Sequence, residues 1–140
     1  MITLRTFDMD QILRTEMLLS AARRLTLYST SGMNIALNQF SNKLNAGQSI
    51  NAKGIFAFDA EWACGWCLLT KEADGMDFCP AEGYSCVQIY VAEEYRRKGI
   101  GTILLKEATS QSTGQIIQCY GWDNPKFFEP FIKENNFKSF

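Results

Sequence analysis

One passage constrains this chain more than any other: YSCVQIYV (Tyr84–Val91), then AEEYRRKG, then IGTILLKEATSQ. The first run is dense in β-branched and aromatic residues and reads as a strand. The third repeats apolar residues at helical spacing and reads as a helix from Ile100 to Gln111. Between and at their junction stand three cations, Arg96, Arg97 and Lys98, and two glycines, Gly99 and Gly101. A strand that enters a helix through a glycine turn has a definite chemical use. The first turn of a helix leaves up to four N–H groups unpaired, and the helix dipole favours an anion there. Glycine has no Cβ, so phosphates can lie directly against the backbone. The spacing here is R-x-x-G-x-G, Arg96 to Gly101. It is neither the dinucleotide fingerprint G-x-G-x-x-G nor the P-loop G-x-x-x-x-G-K-[ST].

The other elements fall on either side of that passage. Ile2–Phe7 alternates like a strand. Asp8 or Asp10 is placed to cap the next element, where Leu13, Met17, Leu18, Ala21, Ala22 and Leu25 keep helical spacing as far as Leu25. Thr30–Gly32 interrupts the chain. Met33, Leu37, Phe40 and Leu44 mark a second helix that closes near Ala46–Gly47. Gly54–Asp59 and Trp62–Thr70 read as two strands of a hairpin. Lys71–Glu82 is a loop with four acids against one lysine. Gln115–Tyr120 is a strand, Pro125 suits the first turn of a last helix ending near Asn135–Asn136, and Phe137–Phe140 is a short final strand. The order is βααββ, then βαβαβ: an α/β chain whose 140 residues make one domain, 1–140.

Composition narrows the chemistry. A net charge of -1 gives no global pull toward nucleic acid or an anionic membrane. The apolar runs are far shorter than the ~20 residues of a membrane span, and MITLRTFDMDQ has no signal core, so a cytoplasmic protein is expected. An odd set of five cysteines fits free thiols in a reducing compartment. The chain has no histidine. Ser-His and Cys-His mechanisms are thereby excluded, and no metal is expected. Cys64-Gly65-Trp66-Cys67 has redox spacing, but it sits in a strand, where residues three apart face opposite ways, so both thiols read as structural. The phenylalanines from Phe127 to Phe137 read as core and cleft wall, with too few lysines beside them for a nucleic-acid platform.

The run VAEEYRRKGIGTILL resembles the acetyl-CoA-binding motif of the GNAT N-acetyltransferase superfamily. Its marks are Ile89 and Val91 on the strand, the acidic turn Glu93–Glu94, then Arg96, Gly99 and Gly101, and Leu104–Leu105 on the helix. Gly65 in the third strand also fits a family position. The resemblance implies the GNAT fold, βααβββαβαβ with a short last strand, and acetyl-CoA as co-substrate. It implies that the backbone amides of Arg97, Lys98, Gly99, Ile100, Gly101 and Thr102 hold the pyrophosphate, with Arg96 and its neighbours adding charge. Ile89, Tyr90 and Val91 would line the pantetheine arm, which pairs with the strand as an extra strand would. The motif strand and Gln115–Tyr120 would splay to admit it, with Asn124 nearby.

The chain departs from the family pattern at the chemistry. Ile132 stands where the family often keeps a tyrosine that protonates the leaving thiolate, and Tyr120 is the substitute. Ser85 stands where an acidic base often lies, and Glu82 and Tyr84 are the nearest alternatives. The implied activity is acetyl transfer to an amine: a protein N-terminus, a lysine or a small amine. Two other readings are a GNAT-fold binding or inhibitory protein without catalysis, and a toxin-like enzyme acting on aminoacyl-tRNA. The protein is expected to be a monomer or a homodimer, away from membranes.

Overall fold

The computed structural model describes residues 1–26, 32–48, 51–71, 84–112 and 116–119, with the side chains of 32–37, 71, 84–86 and 116–119 left aside. Nine elements of regular structure follow in order. They are β1 (Ile2–Asp8), α1 (Met9–Arg14), α2 (Glu16–Leu25), α3 (Gly32–Asn45), β2 (Ala52–Asp59), β3 (Trp62–Lys71), β4 (Tyr84–Val91), α4 (Ile100–Ser110) and β5 (Ile116–Cys119). A short 3-10 turn, Glu93–Tyr95, stands between β4 and α4. The expected helix after Pro125 and the strand Phe137–Phe140 lie outside the described residues.

The strands form one sheet in the order β1-β2-β3-β4-β5. The first four are antiparallel neighbours. β5 runs parallel to β4, as a strand reached through a crossover helix must. Helices lie on both faces. The sheet residues that meet α1, α2 and α3 are largely aromatic. Phe56 of β2 pairs with Trp66 of β3, and Trp66 with Tyr90 of β4. Their rings stack at 5.4 and 6.3 Å between centroids, and Phe7 of β1 meets Phe56 edge-on at 5.9 Å. Met9, Ile12, Leu18, Ala22 and Phe40 close over them. Cross-strand aromatic pairs of this kind fix strand register, each worth roughly 0.2–1 kcal/mol beyond an alanine pair.

The sequence predicts one helix from Asp8 or Asp10 to Leu25, and the structure breaks it in two. Thr15 is extended, with φ -109° and ψ 108°, and separates α1 from α2. Asp8 is the residue before α1, but its side chain makes no capping bond. α3 ends as a glycine-terminated helix does: Gly47 has φ 74°, and the Gln48 N–H donates back to the Lys43 carbonyl at 2.9 Å.

The opposite face is built for close approach. Ile55, Ala57, Cys64, Cys67, Leu69 and Val87 pack there with Ile100, Leu104, Leu105 and Ala108 of α4. Here the expectation for the two cysteines is corrected. Ala57 pairs with Gly65 but Phe58 pairs with Ala63, so Cys64 is an extra residue, a β-bulge. The bulge cancels the strand's alternation and turns Cys64 and Cys67 to the same face, both buried and neither in a disulfide. Three residues of strand still separate their Cα atoms by ~10 Å, beyond the ~7 Å limit for a disulfide. The structural reading of the pair therefore rests on distance, not on opposite faces. Cys79, Cys86 and Cys119 lie outside the described side chains.

Candidate active site

The end of β4 and the start of α4 converge on one point, and each part of the junction has a visible cause. The Ala92 N–H donates to the Cys64 carbonyl at 2.8 Å. By antiparallel alternation, the even-numbered residues of β4 then turn their backbone groups toward β3. Ile89 and Val91 turn theirs away, toward the β5 side. On that side the pairing with β5 runs from Tyr84↔Ile116 to Val87↔Cys119 and no farther among the described residues. The last half-turns of β4 thus present a polar edge next to the glycine loop. Tyr90 differs from its neighbours. Its ring is buried on the α1–α3 face, and its hydroxyl donates to Gln88 Oε1 at 3.2 Å.

The loop that follows is held at several places. Tyr95 N–H donates to the Ala92 carbonyl at 2.8 Å, and Arg96 N–H to the Glu93 carbonyl at 3.2 Å. The Arg96 side chain folds back, and Nε donates to the Val91 carbonyl at 3.1 Å. Arg96 is therefore a brace between loop and strand as well as a charge. Arg97 has φ 65°, a left-handed conformation uncommon outside glycine, and is exposed. Lys98 is exposed, with Nζ 5.3 Å from the Tyr95 ring centroid. Gly99 is the residue before α4 and is left-handed at φ 82°, and a Cβ there would meet nothing within 4 Å. The Gly99 side of the turn is thus open, while Ile100 next to it is buried. In the first helical bond the Ile103 N–H donates to the Gly99 carbonyl at 3.1 Å. The amides of Ile100, Gly101 and Thr102 precede it and have no carbonyl a turn behind them.

Gly65 sets how near α4 comes to the sheet. A Cβ at Gly65 would stand 3.1 Å from the Tyr90 carbonyl oxygen, 3.2 Å from Ile100 Cγ2 and 3.4 Å from Leu104 Cδ1. Its absence lets the first turn of α4 lie against β3. Ile100 is buried in that contact, while Gly101 and Thr102 are half-buried on the same turn.

The proposed catalytic residues are placed less fully. Tyr84 and Ser85 open β4, opposite Ile116 and Ile117 of β5, with Ser85 also opposite Lys71. Ser85 is six residues from Val91, so about 20 Å of strand separates it from the glycine loop. Glu82, Tyr120 and Asn124 lie outside the described residues. Sequence reasoning did not single out two residues that meet beside the loop, Tyr95 and Asp59. Tyr95 Oη donates to Asp59 Oδ2 at 2.8 Å across 36 residues of chain. That bond, above all, raises the Tyr95 phenol pKa beyond its ordinary 10.0, with burial and the nearby carboxylate adding to it.

A family model described as acetyltransferase (GNAT) domain matches residues 53–137. The chain belongs to the GNAT acetyltransferase family. It is an N-acetyltransferase domain. Solved structures agree on the fold. A putative GNAT acetyltransferase from Desulfovibrio desulfuricans is 17% identical with a TM-score of 0.73, covering 100% of this chain and 87% of that one. The aminoglycoside N-acetyltransferase AAC(6')-Iy, solved in complex with CoA, is 13% identical with a TM-score of 0.69, covering 99% and 89%. A predicted acetyltransferase from Clostridium acetobutylicum, solved with acetyl-CoA, is 19% identical with a TM-score of 0.64, covering 100% and 92%. No curated protein sequence matches. The GNAT fold that the resemblance implied is the fold found. Among the described residues, no helix is long and apolar enough to cross a membrane, and no group of three or more His, Cys, Asp and Glu residues is placed to hold a metal.

Proposed function

We propose that this GNAT domain transfers an acetyl group from acetyl-CoA to a primary amine on a cationic acceptor. The observation that carries the cofactor half is the junction at Gly99. There a left-handed glycine delivers the N-terminus of an eleven-residue helix beside the polar edge of β4. The amides of Gly99, Ile100, Gly101 and Thr102 would hold the pyrophosphate, with Arg97 and Lys98 adding charge from the rim. Ile89, with the Val91 N–H, would pair with the pantetheine amides as a neighbouring strand does. The Val91 carbonyl is already engaged by Arg96.

The amine attacks the thioester carbonyl, the tetrahedral intermediate collapses, and CoA leaves as thiolate or thiol. A backbone N–H on β4 would stabilise the oxyanion. Holding both reactants together supplies ~7–11 kcal/mol of the barrier reduction, so modest acid–base help suffices. Tyr120 is the proposed donor to the departing thiolate, and Glu82, Tyr84 or Ser85 the proposed acceptor of the amine proton. A cationic acceptor is supported by Glu72, Asp74, Asp77 and Glu82 in one loop sequence. Aminoglycoside N-acetyltransferases among the similar structures point the same way. A polyamine, an amino sugar, a lysine or a protein N-terminus all have this chemistry.

CoA release measured against a panel of such amines tests the reading. Release should depend on added amine and rise with pH as the amine loses its proton. Acetyl-CoA should also raise the melting temperature, as any ligand selective for the folded state does. No melting shift at millimolar acetyl-CoA, in protein shown to be folded, would refute the cofactor half. Binding without transfer to any amine would leave a GNAT-fold binding protein.

A further inference from the structure

The Tyr95–Asp59 hydrogen bond joins the end of β2 to the turn after β4, two strands that are not neighbours in the sheet. Asp59 ends β2 at the hairpin into β3, and Tyr95 ends the 3-10 turn that leads into the glycine loop. The phenol is half-buried against the α4-side cluster, as are Ile89 and Val91. Its hydroxyl reaches Asp59 at 2.8 Å, and its ring lies under the Lys98 ammonium at 5.3 Å. One side chain therefore fixes the loop from below and holds a cation of that loop above it. The next residues are Arg96, braced on Val91, and Arg97, in a left-handed conformation that needs its surroundings to hold it.

We propose that Tyr95, held by Asp59, is a positioning residue for the phosphates of the co-substrate: it pre-shapes the Arg96–Gly99 loop so that the α4 amides and Lys98 meet the pyrophosphate without reordering. This rests on the reading of the Gly99 junction as the acetyl-CoA site. Tyr95 touches neither the thioester nor the amine in this scheme, so it acts on affinity and not on the chemical step. Preorganisation of this kind strengthens binding by removing the cost of ordering the loop.

The test compares acetyl-CoA with acetyl-S-pantetheine, which has the thioester arm but no phosphates, by titration calorimetry on the full chain. Wild type should bind acetyl-CoA far more tightly. Tyr95→Phe keeps the ring and the Lys98 contact but loses the hydroxyl. It should weaken acetyl-CoA binding by roughly tenfold, the worth of one hydrogen bond to a charged group. It should leave acetyl-S-pantetheine binding within about twofold, since the strand edge is untouched. Tyr95→Leu, which also removes the cation–π contact, should weaken acetyl-CoA further. Asp59→Asn keeps an oxygen acceptor without its charge and should lose less than Asp59→Ala, which should match Tyr95→Phe, with no added loss in the double variant. A wild type that binds acetyl-CoA no better than acetyl-S-pantetheine would remove the site reading and this proposal together. A wild-type preference that Tyr95→Phe leaves intact, or a loss equal for both ligands, would overturn the proposal alone.

Discussion

The face of the sheet beneath α1, α2 and α3 is made of rings, and the face beneath α4 is made of small and aliphatic side chains. On the first, Phe7, Phe56, Trp66 and Tyr90 run from strand to strand and lock register by their bulk. On the second, Ala57, Cys64, Gly65 and Cys67 lie under the first turns of α4. Large rings need room and hold helices off. Small residues let a helix settle close, and here they set its N-terminus beside the end of β4. The difference teaches that one face holds the strands in order while the other sets where an anion would be received.

Substitutions on the two faces should therefore separate stability from ligand binding. The largest stability loss belongs to the ring face. Trp66→Ala should cost about 3–5 kcal/mol, as truncating a buried aromatic does, read as a lower denaturation midpoint. Gly65→Val attacks the α4 face. The new side chain meets a backbone oxygen as well as Ile100 and Leu104, so α4 must move. Overpacking should cost ~1–3 kcal/mol, but acetyl-CoA binding should fall further than stability predicts. If Gly65→Val kept wild-type affinity, the close seating of α4 would be irrelevant to the site. Gly99→Asp is milder for the fold. Its Cβ meets nothing, and the left-handed backbone costs about 1–2 kcal/mol for a non-glycine residue. It should nevertheless abolish acetyl-CoA stabilisation by putting a carboxylate at the phosphates.

The smallest effect is a pH dependence. Burial, above all, raises the Cys64 thiol pKa above its ordinary 9.0. Its folded-state pKa is higher than its unfolded one, so its stability contribution is full below pH 9 and lost as pH rises through the folded value. Thermal stability should decline above pH 9, and Cys64→Ala should flatten the first part of that decline. Tyr95 is raised in the same sense from 10.0 and would carry a later part. Since Cys64 touches no proposed ligand position, Cys64→Ala should leave acetyl-CoA binding unchanged.

Much of this was legible in the sequence, for physical reasons that vary by element. β2, β3, β4 and α4 announced themselves because their apolar periods are clean and glycine or charged turns bound them. The break at Thr15 did not, because no glycine or proline marks it and the apolar spacing continues across it. The bulge at Cys64 has only one sequence sign, a glycine inside a strand, and that sign does not say which neighbour is the extra residue. Gly99 and Gly101 were readable as an anion turn because their requirement is local. The Arg96 brace was not, since an arginine in a cationic run gives no hint that it turns back to the strand it has just left. The Tyr95–Asp59 bond is farther still from reach: it joins residues 36 apart that come together only once β2, β3 and β4 lie side by side. Spacing reports what is near in sequence, and a positioning contact made by topology leaves no trace in it.

The most direct test of the comparison is the structure of the complex with acetyl-CoA. Pyrophosphate oxygens are expected within hydrogen-bond distance of the Gly99–Thr102 amides, with the pantetheine arm alongside Ile89 and Val91. Acetyl-CoA found with its phosphates elsewhere, on the α1–α3 side or away from the α4 N-terminus, would contradict it.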